Sequence, residues 1–161
     1  MNDLISKRFS EHVSVVQATL EHLSGGIAAA AELMIESYRS GGGVFLFGNG
    51  GSAADAQHIA CELVGRFLLD RPPMKAWALS TDTSILTCLA NDYSYEVVFA
   101  RQLQAGARPG DVAVGLSTSG RHQEEYRPLY GLDFFNEGNY IGQQINVECS
   151  HRGVDLYADA N

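Results

Sequence analysis

Apolar residues recur along the first part of the chain at Phe9, Val13, Val16, Leu20 and Leu23, at spacings of 4, 3, 4 and 3. That period places them on one stripe of a helix over residues 3–23. A stripe so narrow resembles a coiled-coil seam, and two partners are open for it: the chain's own core or a neighbouring subunit. Ser24-Gly25-Gly26 predicts the end of this helix. A second helix is expected over about 27–39, stopped by Gly41-Gly42-Gly43.

The pattern then changes. Val44–Phe47, Ala76–Leu79 and Val112–Leu116 are short, nearly continuous apolar runs bounded by glycine or small polar residues. Such runs suit strands buried on both faces, as in a parallel sheet. Between them the periodicity predicts helices over about 53–68, Asp82–Ala90 and Tyr95–Gly106, with Ser52 and Asp55 spaced as a capping box. Strands alternating with helices imply an α/β fold: three layers, a parallel sheet and right-handed crossovers, preceded by N-terminal helices. Beyond Arg121 the periodicity fades and no element is assigned.

Composition narrows the function classes. The net charge is −8 with no basic stripe, so nucleic acid is not an expected partner. Residues 1–10 carry charges and lack the apolar core of a secretory signal, and no stretch approaches 18 apolar residues. A cytoplasmic chain with no membrane partner is expected. Cys61, Cys88 and Cys149 show no paired spacing and read as reduced thiols. Charge is uneven: residues 122–161 hold seven acidic and two basic residues, a net of −5, against twelve and nine, a net of −3, over residues 1–121.

Two loops carry the candidate chemistry. In Gly48-Asn49-Gly50-Gly51-Ser52, glycines leave backbone N–H groups uncovered just before a helix N-terminus, where anions are stabilised. No Lys-Ser/Thr follows, and the spacing is not GxGxxG, so neither a Walker loop nor a dinucleotide fingerprint is indicated. The second loop, Ser117-Thr118-Ser119-Gly120, offers three hydroxyls suited to phosphate oxygens. Ligands of open α/β sheets bind at the carboxyl ends of the strands, where both loops lie. On the helix after the first loop, His58 and Glu62 are four apart and share a face, as metal ligands or with Glu62 as a general base. A solvated helix face is the ordinary meaning of such a pair. Asn91-Asp92 ends a later helix, either as a plain terminus or at the ligand edge.

The segments GNGGSAADAQHIACELVGRF, STDTSILTCLANDYSYEVVFARQL and GDVAVGLSTSG together resemble the sugar isomerase (SIS) domain of bacterial phosphoheptose isomerases, over residues 1–121. That resemblance divides the chain into N-terminal helices (1–40), an α/β part (41–121) and a divergent tail (122–161). It implies isomerisation of sedoheptulose 7-phosphate to D-glycero-D-manno-heptose 7-phosphate through an enediol, towards lipopolysaccharide heptose, in a cytoplasmic homotetramer that often holds zinc. It implies substrate contacts at Asn49, Gly50, Gly51, Glu62, Asn91 and Asp92, and phosphate binding by Ser117, Thr118 and Ser119. It makes His58 and Glu62 zinc ligands and Glu62 the catalytic base. A related non-catalytic module that binds a sugar phosphate or a replication-initiator protein is the alternative, and Glu62 favours the enzyme.

The tail departs from the family, whose last helix carries a Gln and, eight residues on, a His that complete the metal site and the acid/base pair. Gln143 and His151 share that spacing in a context poor for a helix. Turnover at least about 10²-fold below that of a complete member is therefore expected. Codons for His122-Gln123-Glu124-Glu125-Tyr126-Arg127, read one base later, give Ile/Thr, Lys/Arg, Lys/Arg, Asn/Ser, Ile/Thr and a codon that permits Val, as the family's helix would read. The nucleotide sequence checks this frameshift hypothesis. An early stop in the shifted frame, or no Gln-x7-His helix there, would sink it.

Overall fold

The strand Val44–Gly48 (β1) is buried along its whole length, and the fold is arranged around it. The computed structural model describes residues 1–118 and the backbone of 143–145 and 156–158. β1 pairs in parallel with Ala76–Ala78 (β2) on one side and with Val112–Leu116 (β3) on the other. The sheet order is β2-β1-β3. Successive side chains of a strand alternate between its faces, so β1 builds two cores. Phe45 and Phe47 face Leu79, Val98, Phe99 and Leu103. Val44 and Leu46 face Ala56, Ala60, Val114 and Leu116. The expected three layers result: the helix Gly51–Val64 (α2) and the end of the N-terminal helix cover one face. The helices Thr83–Asp92 (α3) and Val98–Gly106 (α4) cover the other. Further along, Gln143–Ile145 (β4) and Leu156–Ala158 (β5) form a separate antiparallel pair, where the sequence pattern assigned nothing.

Four local expectations are corrected. Asn2–Arg39 is one helix of 38 residues (α1), not two. Each of Gly25 and Gly26 costs a helix about 1 kcal/mol relative to alanine, but neither removes a backbone donor as proline would. The Ala28–Ala31 run beyond them favours continuation. The Ser52–Asp55 capping box is absent. α2 starts one residue before Ser52, its N-cap is Gly50, no side chain caps it, and Ser52 is buried beneath the turn. α2 also ends at Val64 rather than near 68. Gly65 follows, and the Arg71 guanidinium donates to the carbonyls of Glu62 (2.8 Å) and Leu63 (2.9 Å), taking up acceptors that another turn would use. The last planned helix opens as a 3₁₀ turn, Tyr95–Val97, before α4.

The glycine stop after α1 is as expected. Gly41 has φ +86°, its N–H bonds the Tyr38 carbonyl, and the Gly42 N–H bonds that of Ser37, a Schellman closure. Met34 and Tyr38 then pack on the core, and Tyr38 donates its hydroxyl to the Lys75 carbonyl.

The other end of α1 is different. At 1.5 Å per residue the helix is about 57 Å long. Its residues 2–18 are all exposed, Phe9 at 69%, and nearby Leu20 is 71% exposed. The Phe9–Leu20 stripe is therefore not covered by the described residues of its own chain. Replacing Val16 and Leu20 by Glu should leave the α/β layers folded and lower the mass measured by sedimentation. A double variant that keeps both the parent's mass and its circular dichroism would show the stripe to be a solvated face.

Candidate active site

β1 and β3 run side by side in register to their last residues, Gly48 opposite Leu116. The two loops singled out by sequence therefore leave the sheet together. The packing there is tight: a Cβ on Gly48 would lie 2.7 Å from the Leu116 carbonyl oxygen and 2.8 Å from Ser52 Cβ. Only a hydrogen side chain lets the start of α2 close over the end of β3.

Asn49 follows, half-buried, with its Oδ1 accepting a 2.7 Å hydrogen bond from the Tyr95 hydroxyl. Gly50 turns the chain at φ +57°, a conformation L side chains adopt rarely, and Gly51 opens α2 with nothing within 4 Å of where a Cβ would stand. Opposite them Ser117 is only 3% exposed, and its Oγ has no hydrogen-bond partner among the described residues. A buried hydroxyl without a partner is uncommon and needs a reason, and an absent ligand is one such reason. Thr118 is exposed, and Ser119 lies outside the described residues.

His58 and Glu62 are brought together on successive turns of α2, Nε2 to Oε1 at 3.8 Å, with the histidine side chain largely in solvent and the carboxylate half-covered. They stand away from the loops. Seven and eleven residues beyond Gly51 correspond to about 10 and 16 Å of helix axis. Helical side chains lean towards the N-terminus, which brings both groups somewhat nearer the loops. As zinc donors, imidazole nitrogen and carboxylate oxygen are the right types and supply two of four positions. No cluster of three or more His, Cys, Asp or Glu suited to a metal occurs among the described residues.

Asn91 and Asp92 are exposed at the end of α3, and the Asn91 amide donates to Asp92 Oδ1 at 2.8 Å. Among the described residues no hydrogen bond joins either side chain to the loops; the link is Tyr95, three residues beyond Asp92. Sequence pattern missed Tyr95, because an exposed tyrosine opening a short turn carries no spacing signal.

Asp92 also accepts a hydrogen bond from the Cys88 thiol (3.4 Å). That bond, and the carboxylate's charge, hold the thiol's pKa above its ordinary value. At a given pH less thiolate is present, and thiolate is the reactive form. Cys88 should therefore be alkylated slowly by iodoacetamide at pH 8, and Asp92→Asn should speed that reaction. Equal rates in the two proteins, followed by peptide mass spectrometry, would show that Asp92 does not control the thiol.

Comparison with known proteins agrees with this geometry. A sequence profile of the SIS domain matches residues 8–125. The phosphoheptose isomerase of Geotalea daltonii is 47% identical over 133 residues, covering 83% of this chain and 69% of its own. That of Aquifex aeolicus is 50% identical over 129 residues, covering 80% and 68%. Among solved structures, the phosphoheptose isomerase of Neisseria gonorrhoeae is 39% identical with a TM-score of 0.71, covering 80% of this chain and 67% of that one. A phosphoheptose isomerase from Francisella tularensis is 32% identical, also with a TM-score of 0.71, covering 79% and 70%. The chain thus spans about two thirds of these relatives' length. Fold, loops and likeness together place the chain in the phosphoheptose isomerase family of SIS-domain proteins.

Proposed function

We propose that the chain isomerises sedoheptulose 7-phosphate to D-glycero-D-manno-heptose 7-phosphate, supplying heptose for lipopolysaccharide and related glycans in the cytoplasm, as part of a homotetramer. The observation that carries this reading is the Ser117 hydroxyl, buried and without a partner among the described residues at the carboxyl end of β3, beside the glycine loop of β1. Phosphate oxygens supply the missing partner, and the helix N-terminus alongside favours their charge.

An open-chain 7-phosphate carries its phosphate and its reacting carbons at opposite ends. With the phosphate between Asn49–Gly51 and Ser117–Ser119, C1 and C2 extend along α2 towards His58 and Glu62. Asn91 and Asp92 hydrogen-bond the hydroxyls between. Glu62 takes a proton from C1 of the ketose, leaving an enediol, and returns it at C2. The proton of the C1 hydroxyl passes to the C2 oxygen, so atoms and charge balance. Glu62 is suited to this because its side chain is partly covered while an adjacent imidazole shares its face. A zinc ion held by His58 and Glu62 would polarise the substrate carbonyl.

Two substitutions test this reading with purified protein, with and without added zinc. Glu62→Gln should lower the isomerisation rate by about 10²–10⁴-fold, and an unchanged rate would remove Glu62 from catalysis. Ser117→Ala should weaken sugar-phosphate binding by about 1.5–3 kcal/mol, as for a hydrogen bond to a charged group. It should not lower the Tm of the ligand-free protein, because it removes a buried hydroxyl that has no partner to lose among the described residues. Lost stability with unchanged affinity would make Ser117 a structural residue instead.

A further inference from the structure

Of the residues around the two loops, Tyr95 has no role assigned above, and its hydroxyl bridges the α3–α4 turn to the glycine loop. We infer that Tyr95 is a positioning residue that sets the orientation of the Asn49 amide and couples the glycine loop to the turn carrying Asn91 and Asp92. This inference rests on the substrate-binding role proposed above for those residues.

The amide of asparagine is two-sided, with an acceptor oxygen and a donor nitrogen that exchange places on a 180° flip. Asn49 stands at the mouth of a loop whose next two residues are glycines, so the backbone alone restrains it weakly. Because the Tyr95 hydroxyl donates to Oδ1 at 2.7 Å, the flipped amide would set donor against donor unless the phenol turned its own proton away. The bond therefore selects the rotamer in which the Nδ2 protons face away from Tyr95. Those protons are the donors an oxygen-rich sugar phosphate needs.

Tyr95 can do this because its own position is fixed from behind. It opens the 3₁₀ turn that runs straight into α4, where Val98, Phe99, Ala100 and Leu103 are all buried in the core. Its ring is half-exposed, so the tyrosine contributes little to that core. The bond spans 46 residues of sequence and joins two segments the sheet does not otherwise tie together. Asp92 lies three residues before Tyr95, so a shift of the turn moves both the tether and the carboxylate.

The test uses the full chain with Tyr95→Phe, Asn49→Ala and the double variant. Hydrogen exchange of residues 49–54, followed by mass spectrometry without substrate, should quicken severalfold in Tyr95→Phe while the Tm holds. Exchange equal to that of the unaltered chain overturns the tether. Calorimetry with sedoheptulose 7-phosphate should show Tyr95→Phe binding about five- to tenfold more weakly, the loss of roughly one hydrogen bond. In the Asn49→Ala background the same change should add nothing, because the two residues act as one unit. Additive losses would show that Tyr95 acts independently of Asn49. If the unaltered chain binds no sugar phosphate, the functional reading fails, and the exchange experiment alone decides the tether.

Discussion

The contact at Gly48 is the constraint from which the site follows. Two parallel strands end in register there, and the first turn of α2 closes down on the second strand's last carbonyl at a distance no methyl group would allow. Because the strands end together, their loops open on the same edge. Because the turn is tight, Ser52 and Ser117 are buried while the glycines between Asn49 and Ser52 stay uncovered. A larger residue at 48 would push α2 outwards, lifting its small alanines 56 and 60 off Val44, Leu46 and Val114, on which they let the helix lie close. The two cores of the sheet and the geometry of the loops are thus one packing problem.

The molecule is unevenly held. The α/β layers bury aromatic and branched side chains on both faces of β1, with Phe47 against Phe99 at 5.1 Å between ring centroids. By contrast the first half of α1 and the segment Phe67-Leu68-Leu69 expose large apolar groups to solvent. Helices in proteins gain most of their stability from packing, so the exposed first half of α1 is the least supported part of the described structure. The glycine pair in its middle does not break it, because only propensity opposes it there.

The strands were legible because a short, nearly continuous apolar run has few other uses; β1 is buried throughout as that pattern implies, whereas β3 is buried only towards its end and β2 leaves Trp77 exposed. The helix ends were less so. The end of α2 depends on Arg71, whose guanidinium reaches back nine residues to the Glu62 carbonyl, and nothing in the local sequence marks that bond. The capping box failed for a related reason: Ser52 and Asp55 have the right spacing, but tertiary packing buries the serine before it can cap. In the site, glycine and hydroxyl content revealed the loops, since those residue types are needed for bare backbone and phosphate. Tyr95 stayed hidden because its partner is distant in sequence and its own segment is ordinary.

His58 and Glu62 show how much the setting decides. By themselves, two polar residues four apart on an exposed helix describe a solvated face, and their separation of 3.8 Å is no more than a loose ion pair. What changes their meaning is the axis they stand on. α2 begins at the glycine loop and Glu62 lies further along the same helix, so on the proposed reading a substrate anchored by its phosphate beside Ser117 would extend towards it. The same carboxylate on α3 or α4 would face the opposite side of the sheet. Arg71 strengthens the arrangement by binding the carbonyls at the very turn that carries Glu62, so the helix end is held where fraying would otherwise move the carboxylate first. On the proposed reading the two loops hold one end of the substrate while Arg71 steadies the turn that carries Glu62, so that a glycine turn and a distant guanidinium would serve one site.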